Sequence, residues 1–324
     1  MKRVLITGAS GFVGSNIARR LLAEGHEVHA LLRKERVAWR VADLERDLRV
    51  HSGELADEAA VGAAVSSARP DWIFHLAVHG AYPSQTDLKR MVMTNVVGTV
   101  NLLEACLPDG FEAFVSAGSS SEYGLKDHAP SEDEPPEPNS HYAVTKAAAA
   151  LYCRYTGQAR GLSVTTLRLY SVYGPYEDPT RLIPALAVAG LGRELPPLAD
   201  PEVARDFVYI DDVVEAFLLA ASRAHPPGAV YNVGTGVQTR LREVVDVVRR
   251  VMEIDAAPEW GSMPNRSWDT NVWVADPGRI RDELGWSPRH TFEDGFRAFV
   301  GWLMDHPDLL DRYRAAGKGS PDHP

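Results

Sequence analysis

A chain of 324 residues, 45% hydrophobic and 24% charged, has the make-up of an ordinary globular protein, with one large domain or two modest ones sharing a cleft. Its formal net charge of −10 argues against a nucleic-acid partner, which would need a basic patch to neutralise phosphates. A few placed arginines can still dominate the local field around an anionic small ligand. The two cysteines, Cys106 and Cys153, lack metal-type spacing and read as free thiols of a reducing compartment.

Three residues, Met-Lys-Arg, lead straight into Val4-Leu5-Ile6-Thr7-Gly8, too short and glycine-rich a start for a secretory signal. No apolar run approaches the roughly 18 to 20 residues that span a bilayer, so a cytoplasmic protein without a membrane partner is expected. Strands are predicted over 3–7, 27–32, 71–76, 112–117 and 163–169, with helices over 12–24, 57–68, 87–107 and 140–160 between them. Short runs such as Trp72-Ile73-Phe74-His75-Leu76 suit strands covered on both faces. Strand alternating with helix predicts an α/β fold of the Rossmann type, a doubly wound parallel sheet, over 1–174. Beyond residue 175 prolines cluster, and helices are predicted near 181–190, 211–223, 240–253 and 292–304, with a strand-like piece at Val230-Tyr231-Asn232-Val233. The stretch 175–314 is expected to be mainly a smaller, mixed substrate lobe over the sheet's C-terminal edge, some of its segments returning to the core. Residues 315–324 are expected to be a frayed tail.

The first strand–helix junction carries Gly8, Gly11 and Gly14, with Phe12 and Val13 between the last two. Dinucleotide binding needs a tight turn, backbone access for a pyrophosphate and close helix–strand packing at those three positions, and the helix N-terminus adds N–H groups and a favourable dipole. NAD-binding chains usually place a carboxylate at the end of the second strand for the ribose 2′-OH. Here that segment ends Leu31-Leu32-Arg33, and the forked donors of Arg33 suit a 2′-phosphate. NADP(H) is therefore favoured, with NAD(H) as the alternative.

Tyr142 and Lys146 stand four apart within a helical stretch, which puts them on one face, a turn apart. An ammonium beside a phenol favours the phenolate and is expected to lower the tyrosine pKa from near 10. Such a tyrosine can exchange a proton with an alcohol as hydride leaves or returns to its carbon. Upstream, 116–124 reads Ser-Ala-Gly-Ser-Ser-Ser-Glu-Tyr-Gly at the end of an apolar strand, where a hydroxyl could hydrogen-bond the reacting oxygen. The histidines His26, His29, His51, His75 and His79 lie on separate elements without ligand spacing, so no metal site is expected. Gly234-Thr235-Gly236 lacks the full fingerprint of a second dinucleotide loop. Trp260, Trp268, Trp273 and Trp286 read as lid and core packing.

These motifs, together with His75-Leu76-Ala77, Asn95, the run 167–175 (Leu-Arg-Leu-Tyr-Ser-Val-Tyr-Gly-Pro), the run 205–213 (Arg-Asp-Phe-Val-Tyr-Ile-Asp-Asp-Val) and Tyr231-Asn232-Val233-Gly234, give the chain its likeness. It resembles an extended short-chain dehydrogenase/reductase of the nucleotide-sugar epimerase, dehydratase and reductase branch, over nearly its whole length to about residue 305. The resemblance implies Ser119 as the catalytic serine, Tyr142 as acid/base, and Lys146 as the residue that holds the nicotinamide ribose and tunes the tyrosine. It implies cofactor contacts from Glu54, Leu55, Leu76, Ala77 and Asn95, and substrate contacts from Ser119, Ser120, Ser121, Ser171, Arg181 and Leu182. Arg205 and Arg266 match arginines that grip a substrate diphosphate, and Asp269 a residue that holds its ribose. A homodimer through the 87–107 and 140–160 helices is also implied.

Two departures narrow the reading. The 4,6-dehydratases of this branch carry an acidic pair directly after the catalytic Ser/Thr, and here those positions are Ser120 and Ser121, which cannot act as general acids near neutral pH. Glu122 comes one place late and is expected to point to the other face. Ser171 replaces an asparagine of several epimerases. The expected activity is redox chemistry at C4 of a nucleotide-diphosphate sugar through a 4-keto species, as a 4-epimerase or a 4-ketoreductase. The alternatives are a 4,6-dehydratase and, from another class, a non-catalytic dinucleotide-sensing protein, which would tolerate loss of the intact Tyr142/Lys146 pair.

Overall fold

Val4, Leu5 and Ile6 are wholly buried, and the first strand they form is covered on both faces, as the unbroken apolar run requires. The computed structural model describes residues 1–33, 39–82, 84–264 and 270–317. Its strands are β1 (Arg3–Thr7), β2 (Glu27–Leu32), β3 (Arg49–Ser52), β4 (Trp72–His75), β5 (Ala113–Ser119), β6 (Val164–Leu169), β7 (Ser171–Tyr173), β8 (Ala204–Arg205), β9 (Phe207–Tyr209), β10 (Ala229–Val233) and β11 (Thr239–Arg240). Seven of them form one parallel sheet in the order β10-β6-β5-β4-β1-β2-β3. Strand order reverses at β1, between β2 and β4, and ligands bind such sheets in the crevice that opens there at the strand C-termini. The loops after β1 and β4 are therefore the place for a cofactor.

The helices are α1 (Phe12–Ala23), α2 (Glu58–Ala68), α3 (Leu88–Val92), α4 (Gly98–Cys106), α5 (His141–Arg160), α6 (Leu182–Leu191), α7 (Ile210–Ser222), α8 (Leu241–Met252), α9 (Gly278–Leu284), α10 (Phe292–Asp305) and α11 (Pro307–Gly317). The helix predicted over 87–107 is α3 and α4 joined by a π turn at Met93–Val97. The long α5 starts where the Ser140 side chain accepts a hydrogen bond from the Ala143 N–H at 3.2 Å and stops at Gly161, in the left-handed region.

Two segments within 175–314 return to the sheet. β10 pairs in parallel with β6, Tyr231 opposite Leu167, and α7 lies across the sheet, its Phe217 edge-on to Phe74 at 6.0 Å. Burying a phenylalanine side chain contributes about 1.5–3 kcal/mol, and both rings are fully buried, so this joint is part of the core. The rest of that stretch supplies β9, which pairs with β7 just before it, and the ladder of β8 with β11, over the C-terminal edge. β3 escaped prediction because it is an edge strand with mostly exposed side chains, and α11 carries helix to Gly317, two residues past the expected start of the tail.

Candidate active site

The turn after β1 is built for close approach. Gly8 has φ +77°, and a Cβ there would sit 2.6 Å from the Ala77 nitrogen and 2.7 Å from the Leu76 carbonyl carbon. A Cβ on Gly14 would collide with the Gly8 carbonyl. The glycines thus let α1 and the β4 loop close on one turn, which leaves the backbone at Gly11, Phe12 and Val13 to face the crevice. This cradle fits a dinucleotide pyrophosphate at a helix N-terminus. Arg33 is half-buried at the exit of β2. Glu54 is exposed after β3, and Leu55 is buried against Gly98, its carbonyl accepting from Asn101 Nδ2 at 2.9 Å.

Beneath the cradle runs a chain of neutral hydrogen bonds. The Ala77 N–H meets Thr7 Oγ1 at 3.3 Å, Thr7 Oγ1 meets His75 Nδ1 at 2.7 Å, and His75 Nε2 meets Thr99 Oγ1 at 2.9 Å. Thr99 Oγ1 then donates to the Asn95 carbonyl at 2.6 Å. One direction satisfies every member: Thr7 donates to Nδ1, and protonated Nε2 donates to Thr99. Burial, with Lys146 nearby, pushes the His75 imidazole down to about 3, so it stays neutral. Asn95, buried in the π turn, accepts from the His79 N–H at 2.8 Å and donates to the His79 carbonyl at 2.8 Å and to Thr145 Oγ1 at 2.9 Å. The asparagine thereby ties the β4 loop to α5, one residue from Lys146.

Ser119 ends β5, and Tyr142 and Lys146 lie on the first turns of α5. Ser119 Oγ is 2.7 Å from Ser121 Oγ, so two hydroxyls converge at the strand end. The expected lowering of the Tyr142 pKa by Lys146 is corrected by the structure. Burial pushes the Tyr142 phenol up, with Ser119 beside it acting the other way. The Lys146 ammonium instead donates to the Ala117 carbonyl, and burial pulls its pKa down. Burial is the largest influence on both groups, and the cation that draws the phenol down is Arg181 rather than Lys146.

Behind the serines, Glu122 points inward, fully buried. Its Oε1 accepts from the Ser119 N–H at 2.8 Å and its Oε2 from Arg168 Nε at 2.8 Å. The Arg168 guanidinium lies over the Tyr123 ring, 4.4 Å from its centroid, and Tyr123 donates to Asn232 Oδ1 at 2.8 Å. The one carboxyl in the serine cluster is thus bound up in the structure, and Ser120 is buried. Sequence reasoning placed Glu122 away from the substrate but missed its Arg168 partner, which lies 46 residues on.

Among the residues expected to meet a substrate, Arg181 stands at the N-cap position of α6, donates to the Ala81 carbonyl at 3.1 Å and reaches the Tyr82 ring at 5.5 Å, with Leu182 next to it. Ser171 opens β7, and its N–H donates to the Asp206 carbonyl at 2.9 Å. Asp206, fully buried, accepts from Thr235 N, Thr235 Oγ1, Gly236 N and Ala275 N at 2.6 to 3.0 Å. Gly234-Thr235-Gly236 is therefore a brace for the 205–209 segment, and it holds Arg205, whose guanidinium lies 5.5 Å from the Trp273 ring. Arg266, Trp268 and Asp269 lie outside the described residues. Trp286 is in the core, donating to the Asp212 carbonyl at 2.8 Å. Among the described residues, no group of three or more His, Cys, Asp or Glu is disposed to hold a metal, and no helix is long and apolar enough to cross a membrane.

Residues 4–234 match the NAD dependent epimerase/dehydratase family. The chain belongs to that family. Its relatives include a UDP-glucose 4-epimerase of Mycolicibacterium smegmatis, 34% identical over 94% of this chain and 99% of the other. A dTDP-glucose 4,6-dehydratase of Streptomyces griseus is 30% identical over 97% of this chain and 98% of the other. Among solved structures, the UDP-glucose 4-epimerase of Thermus thermophilus in complex with NAD superposes with a TM-score of 0.80 at 33% identity, covering 97% of this chain and 99% of that one. Family members of both reaction types are thus similar to this chain over its length, and the geometry of the site has to separate them.

Proposed function

We propose that the chain performs hydride chemistry at C4 of a nucleotide-diphosphate sugar through a 4-keto species, as a 4-epimerase. The observation that carries this reading over dehydration is the serine cluster: Ser120 and Ser121 offer no acid, and Glu122 is held by the Ser119 amide and Arg168. Elimination at C6 needs a proton donor that these residues do not supply. The similarity to UDP-glucose 4-epimerases supports the same choice. The nicotinamide, when bound, supplies a hydride acceptor and donor. Tyr142 takes the proton from the sugar hydroxyl and returns it, the Ser119 hydroxyl hydrogen-bonds the reacting oxygen, and Lys146 orients the cofactor ribose. Ser121, Ser171, Arg181 and Leu182 line the sugar and phosphate side, with Arg205, Arg266 and Asp269 toward the diphosphate and its ribose.

A 4-ketoreductase is the second reading, favoured by Arg33, whose guanidinium at the β2 exit suits a 2′-phosphate and so NADP(H). Mass spectrometry of the nucleotides released on denaturation separates the two. Retained NAD means a recycled cofactor and an epimerase, whereas a chain that binds NADPH far more tightly than NADH is a reductase. Incubation with UDP-glucose is expected to give its C4 epimer, and Tyr142→Phe should slow this roughly 10²- to 10⁴-fold. Full turnover by that variant would remove Tyr142 from the mechanism.

The same reading includes a homodimer. Leu88 and Val92 on α3 and Val144, Leu151 and Tyr155 on α5 are exposed apolar side chains, on helices that pack against each other. Sedimentation is expected to show twice the chain mass; a monomer at micromolar concentration would refute the dimer.

A further inference from the structure

Tyr142 and Ser119 have to face one reacting oxygen, yet separate assemblies hold them. The Tyr142 carbonyl accepts from Thr145 Oγ1 at 2.8 Å, and Asn95 ties Thr145 to the β4 loop. Ser119 stands at the last paired position of β5 and β6, opposite Leu169. The ladder stops there, and Gly118 before it has no side chain to hold the turn. What fixes Ser119 comes from behind. Glu122 Oε1 accepts its N–H at 2.8 Å, while the Ser121 N–H meets Ser119 Oγ at 3.2 Å, a reciprocal cap that sets backbone and hydroxyl together. The capping carboxylate is itself immobilised: it is fully buried, and Arg168 Nε holds its other oxygen at 2.8 Å. Gly118 makes room for it, because a Cβ there would stand 2.9 Å from Glu122 Oε1. A buried ion pair adds little stability over well-packed apolar residues, so one kept directly behind the serines points to position rather than to stability.

We infer that Glu122 is a positioning residue, whose carboxylate, held by Arg168, fixes the Ser119 backbone and so aligns the Ser119 hydroxyl with the Tyr142 phenol. The inference rests on the reading of the chain as an enzyme acting at a sugar hydroxyl. Glu122 exchanges no proton in this role. It sets an alignment, and a misplacement of about 1 Å at a reacting group costs roughly a hundredfold in rate. The effect therefore falls on turnover and leaves substrate binding as it is.

Two double variants separate the hydrogen-bond acceptor from the charge. Glu122→Gln with Arg168→Met removes the ion pair and keeps an oxygen for the Ser119 N–H, whereas Glu122→Leu with Arg168→Met removes both. Neither leaves a buried charge unpaired, and their melting temperatures report on the fold. With UDP-glucose and the full chain, the first is expected to keep kcat within about threefold of the wild type. The second should lose roughly ten- to a hundredfold in kcat at an unchanged KM. A merely structural role would move the melting temperatures and leave kcat alike in the two, so equal kcat values, high or low, overturn the role of Glu122 and leave the reading of the reaction intact. Gly118→Ala keeps both charges and sets one methyl against Glu122 Oε1, which tests the same contact where a double variant fails to fold. It should lower kcat roughly tenfold at an unchanged KM, and wild-type kcat in that variant overturns the inference. A wild-type chain that does not convert UDP-glucose overturns the reading of the reaction, and this inference with it.

Discussion

Two buried polar assemblies flank β5, the strand that ends in Ser119, and they hold it by opposite means. On the β4 side the chain Ala77, Thr7, His75, Thr99 and Asn95 is neutral throughout, four hydrogen bonds of 2.6 to 3.3 Å with every donor and acceptor matched. On the β6 side Glu122 and Arg168 form an ion pair at 2.8 Å, both almost wholly enclosed. A neutral chain loses about one hydrogen bond's worth when a member is removed, whereas a buried charge left alone keeps its full desolvation cost. The β4 side of the site is thus tolerant and the serine side is brittle.

The largest expected effect follows from that contrast. Arg168→Met leaves the Glu122 carboxylate buried without its cation and is expected to cost about 3–5 kcal/mol. Thr7→Val, which removes the donor to His75 Nδ1, is expected to cost about 1–3 kcal/mol. Urea unfolding of the two variants gives both numbers in one experiment. Equal losses, or a larger loss for Thr7→Val, would mean that the ion pair is solvated in solution and that the two sides do not differ as described.

The tolerant side was also the legible one. The turn at Gly8, Gly11 and Gly14, the parallel sheet and the helix carrying Tyr142 and Lys146 follow from local rules, because a glycine forced by backbone contact and a buried apolar strand each leave a mark within a few residues. β3 left none, being an exposed edge, and the return of β10 and α7 to the sheet shows only in pairings such as Tyr231 with Leu167. The serine side depends on partners far apart in sequence. Glu122 meets Arg168, Tyr123 meets Asn232, and Asp206 meets Thr235 and Ala275, and no spacing rule connects them. Nor does sequence give the balance of terms at Tyr142: a lysine four residues on predicts a lowered phenol pKa, but enclosure, visible only in three dimensions, dominates.

A third buried group sharpens the comparison at the smallest scale. Glu177, on the loop after β7, is buried like Glu122, but among the described residues it makes no ion pair and its Oε2 lacks a hydrogen-bond partner. Burial pushes its carboxyl up from 4.5 to about 8, with Arg181 pulling it down and Asp178 pushing it up. The folded chain therefore binds this proton where the unfolded chain has released it, and stability falls as pH rises from about 4.5 through 8. His75 acts in the opposite sense: its folded pKa of about 3 against 6.5 unfolded removes stability as pH falls through that window. Glu177→Gln keeps the shape of the protonated acid and cannot ionise, so it should match the wild type in melting temperature near pH 5 and exceed it by a few degrees near pH 8. The variant leaves the acid limb set by His75 unchanged, which separates the two groups in one pair of pH–stability curves. A constant difference between the curves at all pH values would show that Glu177 titrates alike in the folded and unfolded chain, and that an unpaired, buried glutamate is no part of this fold.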